Sequence, residues 1–72
     1  MCCKNNIYNI YLTNSSNVSI ENLSFIFPTI TIDMERIIND IKYVGQSFIY
    51  KTDEIEIYTK LLVENGISFK VK

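Results

Sequence analysis

Three residues punctuate this chain. Pro28, Gly45 and Gly66 are its only proline and glycines. Proline lacks an amide hydrogen and disfavours helix at the residue before it, so Pro28 closes whatever element precedes it. Glycine reaches left-handed backbone angles without steric cost, so Gly45 and Asn65-Gly66 read as helix stops. The stretches between these marks must supply a whole core, since 72 residues make one domain of modest size. With 47% apolar residues and no low-complexity tract, they have the material for it.

Residues 7–13 (Ile-Tyr-Asn-Ile-Tyr-Leu-Thr) are rich in β-formers and do not alternate strictly. This predicts a strand covered on both faces, or one with a covered face and an aromatic second face. A polar loop follows from Asn14 to Ser19, in which Ser16, Asn17 and Ser19 are candidate N-caps. Residues 20–27 fit two patterns. Ile20, Leu23, Ile26 and Phe27 share a helical face, whereas Leu23, Phe25 and Phe27 alternate as a strand; a short helix is the reading adopted. Asp33 then caps a helix whose stripe, Met34, Ile37, Ile38 and Ile41, follows the i, i+3, i+4, i+7 spacing of one buried face. Ser47 to Lys51 reads as a strand. Thr52 or Asp53 opens a last helix, with Asp53 and Glu56 spaced as a capping box and Ile55, Tyr58, Leu61 and Leu62 facing inward. Ile67 to Lys72 alternates as a half-buried closing strand, whose Lys70 and Lys72 suit a protected edge.

The expected fold is therefore α+β, in the order β-α-α-β-α-β, with a three-stranded sheet covered on one face by helices. Residues 1–72 form a single domain, of which residues 1–6 are expected to fray. The strand-helix-strand unit from Ser47 to Lys72 should cross over right-handed if its strands are parallel.

Catalytic chemistry finds little to use. No histidine is present, which removes the usual general base near neutral pH and the commonest metal ligand. The two cysteines, Cys2-Cys3, are adjacent, a geometry that disfavours a mutual disulfide; they read as reduced thiols in a cytoplasmic protein. Ser15 and Ser16 lack a histidine partner, no glycine-rich phosphate cradle exists, and no Cys/His metal spacing occurs. The expectation is a protein that is not an enzyme and carries no cofactor. A net charge of -1, with the lysines spaced singly and Arg36 the only arginine, weighs against broad phosphate binding, so no direct nucleic-acid partner is expected. No run approaches the ~18 apolar residues of a membrane span, and no secretion signal is visible. The three Asn-x-Ser sequons at Asn14, Asn17 and Asn22 are then products of Asn and Ser richness. Five tyrosines in so short a chain point to contact with a partner, since tyrosine joins a large apolar body to a polar tip.

The stretch Tyr8-x-Ile10-x-Leu12-x-Asn14-Ser15, followed by Ile20-Glu21, resembles the start of the ClpS adaptor family. There a first strand runs into an Asn-Asp pair and then a helix opened by Met-Glu. The closing stretch from Tyr58 to Lys72 looks more like the C-terminal domain of the bacterial ribosomal stalk protein, which shares that fold. The resemblance implies binding of substrates with a bulky apolar N-terminal residue and their delivery to a Clp-type unfoldase. It would set Asn14 where the family's Asn bonds the substrate α-amino group, and Val18, Ile20, Leu23, Ile38 and Ile41 along the apolar pocket. Two departures matter. Ser15 stands in place of an acidic residue, and Lys42 stands near the pocket His. A cation ~4 Å from a bound ammonium opposes it by about 4 kcal/mol at an effective dielectric of ~20. The family's long N-terminal extension also has no counterpart in the six residues before the strand, so occupancy of the partner without delivery is expected.

The leading expectation is thus a protein-binding module, an adaptor or competitive inhibitor, with Asn14, Ser15 and Lys42 on its rim. An alternative is a phage or mobile-element inhibitor of a bacterial defence nuclease, of the anti-CRISPR kind, which would block a nucleic-acid groove with Asp53, Glu54, Glu56 and Glu64. Small size, slight acidity and Asn/Ile richness fit that alternative. Homodimerisation through an exposed sheet edge is a third.

Overall fold

The computed structural model describes residues 6–72, so Cys2 and Cys3 lie outside the described residues. The element order is β1 (Tyr8–Leu12), α1 (Ile20–Ile26), α2 (Met34–Tyr43), β2 (Ser47–Thr52), α3 (Ile55–Glu64) and β3 (Phe69–Val71). This is the expected β-α-α-β-α-β order in a small α+β domain. The sheet order is β2-β1-β3, with both neighbours antiparallel to β1. β2 and β3 therefore run parallel to each other but are not neighbours; α3 carries the chain across β1 between them.

β1 resolves to the second of its two readings. Ile10 and Leu12 are fully buried on the helix side. Successive side chains of a strand point to opposite faces, so Asn9 and Tyr11 belong to the other, helix-free side. Tyr11 meets Phe48 of β2 there, edge to face, with ring centroids 5.7 Å apart. The pairing of β1 with β2 shifts at Ile10/Tyr11: Ile10 pairs with Tyr50 and Tyr11 with Phe48, which leaves Ile49 as a bulge. A bulge lets two consecutive residues share a face. Ile49 is buried in the core, and Tyr50 packs on Phe27 from the same side, with centroids 5.3 Å apart.

Residues 20–27 are helical because the ends are satisfied and the stripe is buried. Ser19 Oγ accepts from Asn22 N at 3.1 Å. Leu23 and Ile26 are buried, and Phe27, buried as the C-cap, donates its N–H to the Leu23 carbonyl. Phe25, which a strand would have turned inward with Leu23 and Phe27, is 72% exposed. Ile20, assigned to the buried stripe from sequence, is exposed at the first turn. In α2, Asp33 Oδ1 accepts from Arg36 N at 3.1 Å, and Arg36 pairs with Asp40 one turn on at 3.0 Å. The stripe centres on buried Ile37, flanked by half-buried Met34 and Ile41, while Ile38 lies at the exposed margin.

α3 departs from the expected capping box. The helix begins at Ile55 with Glu54 as N-cap and no side-chain cap bond, so Asp53 falls outside its first turn. The largely buried Thr52 takes over: its Oγ1 accepts from Glu54 N at 2.9 Å. Phe27, Tyr50 and Tyr58 form an aromatic cluster, in which Phe27 and Tyr58 stack at 5.3 Å and 11°. A hydrogen bond to Tyr50 raises the pKa of Tyr58, followed by burial and by the negative charges of ionised Tyr50 and Glu54. The helix ends as expected at Gly66 (φ +69), and a second positive φ, +96, occurs at Gly45. The Asn17 amide donates to the Gly66 carbonyl at 2.8 Å, tying the 14–19 loop to this turn.

Two outcomes are expected. Gly45→Ala should cost about 1–2 kcal/mol, the strain of a side chain at positive φ, because its new Cβ meets nothing within 4 Å. Gly66→Ala should cost on the order of 1 kcal/mol more, since its Cβ would lie 3.2 Å from Asn17 Nδ2 and disturb that bond. In an Asn17→Ala background the two costs should converge; urea denaturation of the four variants decides it. The raised Tyr58 value means that the folded chain holds this proton more tightly than the unfolded chain. The resulting stability is present below about pH 10 and is lost as pH rises through the raised value. Tyr58→Phe should flatten the fall in melting temperature between about pH 9 and 12, and an unchanged slope would contradict the assignment.

Candidate functional site

One end of the sheet gathers most of the residues singled out by sequence. β1 leaves the sheet at Leu12, which pairs with Ser47 where β2 enters, and Thr13 N donates to the Ser68 carbonyl just before β3. The 14–19 loop, the C-terminal end of α2 and the turn at Gly66 therefore meet at this edge. The loop is closed by its own polar groups. Asn14 Oδ1 accepts from Ser16 N at 2.7 Å and from Ser16 Oγ. Val18 N donates to the Ser15 carbonyl at 3.2 Å, and Asn22 Nδ2 holds the Asn17 carbonyl at 3.1 Å.

These bonds bear on chemistry. A carbonyl oxygen has two lone pairs, and Ser16 uses both on Asn14. An incoming α-ammonium would have to displace Ser16 to be accepted there. Ser15 is exposed. Lys42 is exposed too, and its Nζ sits 5.4 Å from the ring centroid of its neighbour Tyr43. At that distance the cation has a π partner on the helix surface.

The expected pocket lining divides. Leu23 is wholly enclosed by the core and has no surface to offer a ligand, which corrects its place among the lining residues. The reason is its position at the centre of α1's inner face. Val18 and Ile41 are half-buried against the core, whereas Ile20 and Ile38 are exposed.

Next to Lys42 stands a feature that sequence reasoning passed over. Tyr43 is 76% exposed and Val44 72%, a consecutive apolar pair at the end of α2. Tyr43 counted only as one of five tyrosines, and Val44 drew no notice. The available signals differ: Tyr43 is out of phase with the Met34-Ile37-Ile41 stripe, whereas Val44 is in phase with it but stands just before the Gly45 stop, as the C-cap past the last helical residue.

Three of the four acids expected to block a nucleic-acid groove lie at the opposite end of the sheet. Asp53, Glu54 and Glu56, with Tyr8, Ile55 and Ile57, line an open hollow of about 410 Å³ at the start of α3. Glu64 closes the same helix and stands about 15 Å away, at 1.5 Å rise per residue. The four acids expected to act together are thus three and one. Among the described residues, no group of three or more His, Cys, Asp or Glu side chains is placed to hold a metal ion, and no helix is long and apolar enough to cross a membrane.

No family model matches this chain, and no curated protein or solved structure matches it either.

Proposed function

We propose that this chain is a non-enzymatic protein-binding module, acting as an adaptor or competitive inhibitor, which meets its partner at the end of the sheet where α2 stops. The observation that carries this reading is the Tyr43-Val44 pair, two large apolar side chains about three-quarters exposed. Leaving such a pair in water costs free energy that burial against a partner would recover. Asn14, Ser15 and Lys42 are exposed, and the pairing of Leu12 with Ser47 brings their segments to the same end of the sheet, where they would supply the polar rim of an interface with an apolar centre. The likeness to ClpS proteins names the first partner to try, a peptide with a bulky apolar N-terminal residue or the Clp-type unfoldase itself. Without an acid at position 15, and with both Asn14 lone pairs engaged, occupation of the unfoldase is the better fit of the two. The lack of a disulfide framework supports action in the cytoplasm.

A second reading rests on the acid-lined hollow at the other end. Asp53, Glu54 and Glu56 would imitate nucleic-acid phosphates and fill the groove of a defence nuclease.

Titration with peptides bearing N-terminal Leu or Phe, followed by amide shift mapping, tests the first. Saturable shifts at Asn14, Ser15, Val18, Tyr43 and Val44 are expected if degrons are bound, and Tyr43→Ala should weaken binding roughly thirtyfold, the scale of an interface hot spot. A flat titration removes the degron partner. Capture of a Clp-type unfoldase undiminished by Tyr43→Ala with Val44→Ser would remove the contact surface as well. For the second reading, charge-neutralising Asn and Gln substitutions at the three acids should abolish inhibition of a nuclease, and retained inhibition excludes it.

A further inference from the structure

Among the described residues, the sheet keeps one face free of helices, and the pairing fixes what that face presents. Across the three strands it forms two rows. Phe48, Tyr11 and Lys70 make one row, since Tyr11 pairs with both others. Lys51, Asn9 and Lys72 make the next, since Asn9 pairs with Lys51 and exchanges two backbone hydrogen bonds of 2.9 Å with Lys72. Strands lie ~4.8 Å apart and alternate residues ~6.7 Å apart, so the six side chains frame a patch of about 10 by 7 Å. None of the six is acidic and none is aliphatic. The net charge of -1 weighs against phosphate binding only if the charges are evenly mixed. They are not: the carboxylates lie on the helices and their flanking turns, and three of the lysines share this face.

We infer that this face binds single-stranded nucleic acid, RNA or DNA, over about two nucleotides. Bases stack on aromatic side chains and neighbouring cations take the phosphates, which is how unpaired strands are held without a groove. Phe48 keeps 40% of its surface exposed although it is aromatic, and it borders Tyr11 at 5.7 Å and 72°, so each ring fixes the other's plane. Lys72 Nζ lies over the Tyr11 ring, 5.3 Å from its centroid, so that ring already carries a cation and the exposed Phe48 beside it is left as the stacking surface. A partner helix would need an aliphatic stripe to pack against, and the paired positions of this face have none. A second copy of the chain would set lysines against lysines. Duplex is disfavoured because its bases are already stacked on one another.

The test uses the full chain and fluorescent oligo(U) and oligo(dT) of eight nucleotides, with a hairpin duplex and inorganic polyphosphate as comparators, read by anisotropy at several salt concentrations. Saturable binding to either single strand is expected, at least tenfold tighter than to duplex or polyphosphate. The log–log salt slope should be near -2, the value for three phosphates neutralised on a single strand. Phe48→Ala should weaken binding about tenfold with the slope unchanged. The triple variant Lys51→Gln, Lys70→Gln, Lys72→Gln should flatten the slope, whereas Lys60→Gln, on α3, should leave affinity and slope intact. Circular-dichroism melts check that each variant folds, and amide shifts of the unmodified chain with oligo(U) must centre on Tyr11, Phe48, Lys51 and Lys70. Equal affinity for polyphosphate, shifts centred on the 53–57 segment, concentration-dependent dimerisation through this face, or no saturable binding would each overturn the inference.

Discussion

Among the described residues, every strand pairing passes through β1. Both of its edges are hydrogen-bonded, to β2 on one side and β3 on the other, and those two strands have no contact with each other in the sheet. Its inward side chains, Ile10 and Leu12, are fully buried. They hold the sheet against α1, α2 and α3 through one continuous core that includes Leu23, Ile37, Ile49 and Leu62. A fully buried Ile or Leu contributes about 2–3 kcal/mol. Two of them on the one strand that both edges need make β1 the part without which neither remaining strand has a partner.

The bulge at Ile49 follows from the same constraint. Without it, strict alternation would turn either Ile49 or Tyr50 outward. With it, both reach the core and Phe48 is left beside Tyr11 on the open face. The aromatic cluster of Phe27, Tyr50 and Tyr58 depends on this offset, because Tyr50 is its only member from the sheet. One unpaired residue thereby sets the chemistry of both faces.

Much of this was legible in the residues. Pro28, Gly45 and Asn65-Gly66 mark real stops, and the Asp33-capped stripe of α2 is a local pattern that local physics decides. Residues 20–27 were ambiguous because helix and strand bury almost the same side chains; the Ser19 cap and the exposure of Phe25 separate them. The opening of α3 was misread because Asp53 and Glu56 have capping-box spacing, while the bond formed comes from the Thr52 hydroxyl, one residue earlier. The bulge left no mark, since Phe48-Ile49-Tyr50 is a plain apolar run without glycine. For the candidate site, Asn14, Ser15 and Lys42, expected at a rim, are exposed, whereas Leu23, expected along a pocket, is enclosed, because its burial depends on packing between α1 and elements distant in sequence. Charge was the least legible property. A sum over the chain conceals that cations and carboxylates occupy different faces.

The bond from Asn17 to the Gly66 carbonyl joins residues 49 positions apart. A ribosome adds about 5–20 residues per second, so this fastening cannot close until several seconds after the 14–19 loop has been made. During that interval β1 lacks its β3 neighbour and offers a bare hydrogen-bonding edge to any other extended chain. Newly made copies crowded on one message are then the molecules most prone to mispair, and holding aggregation in check falls to whatever shields that edge until β3 arrives.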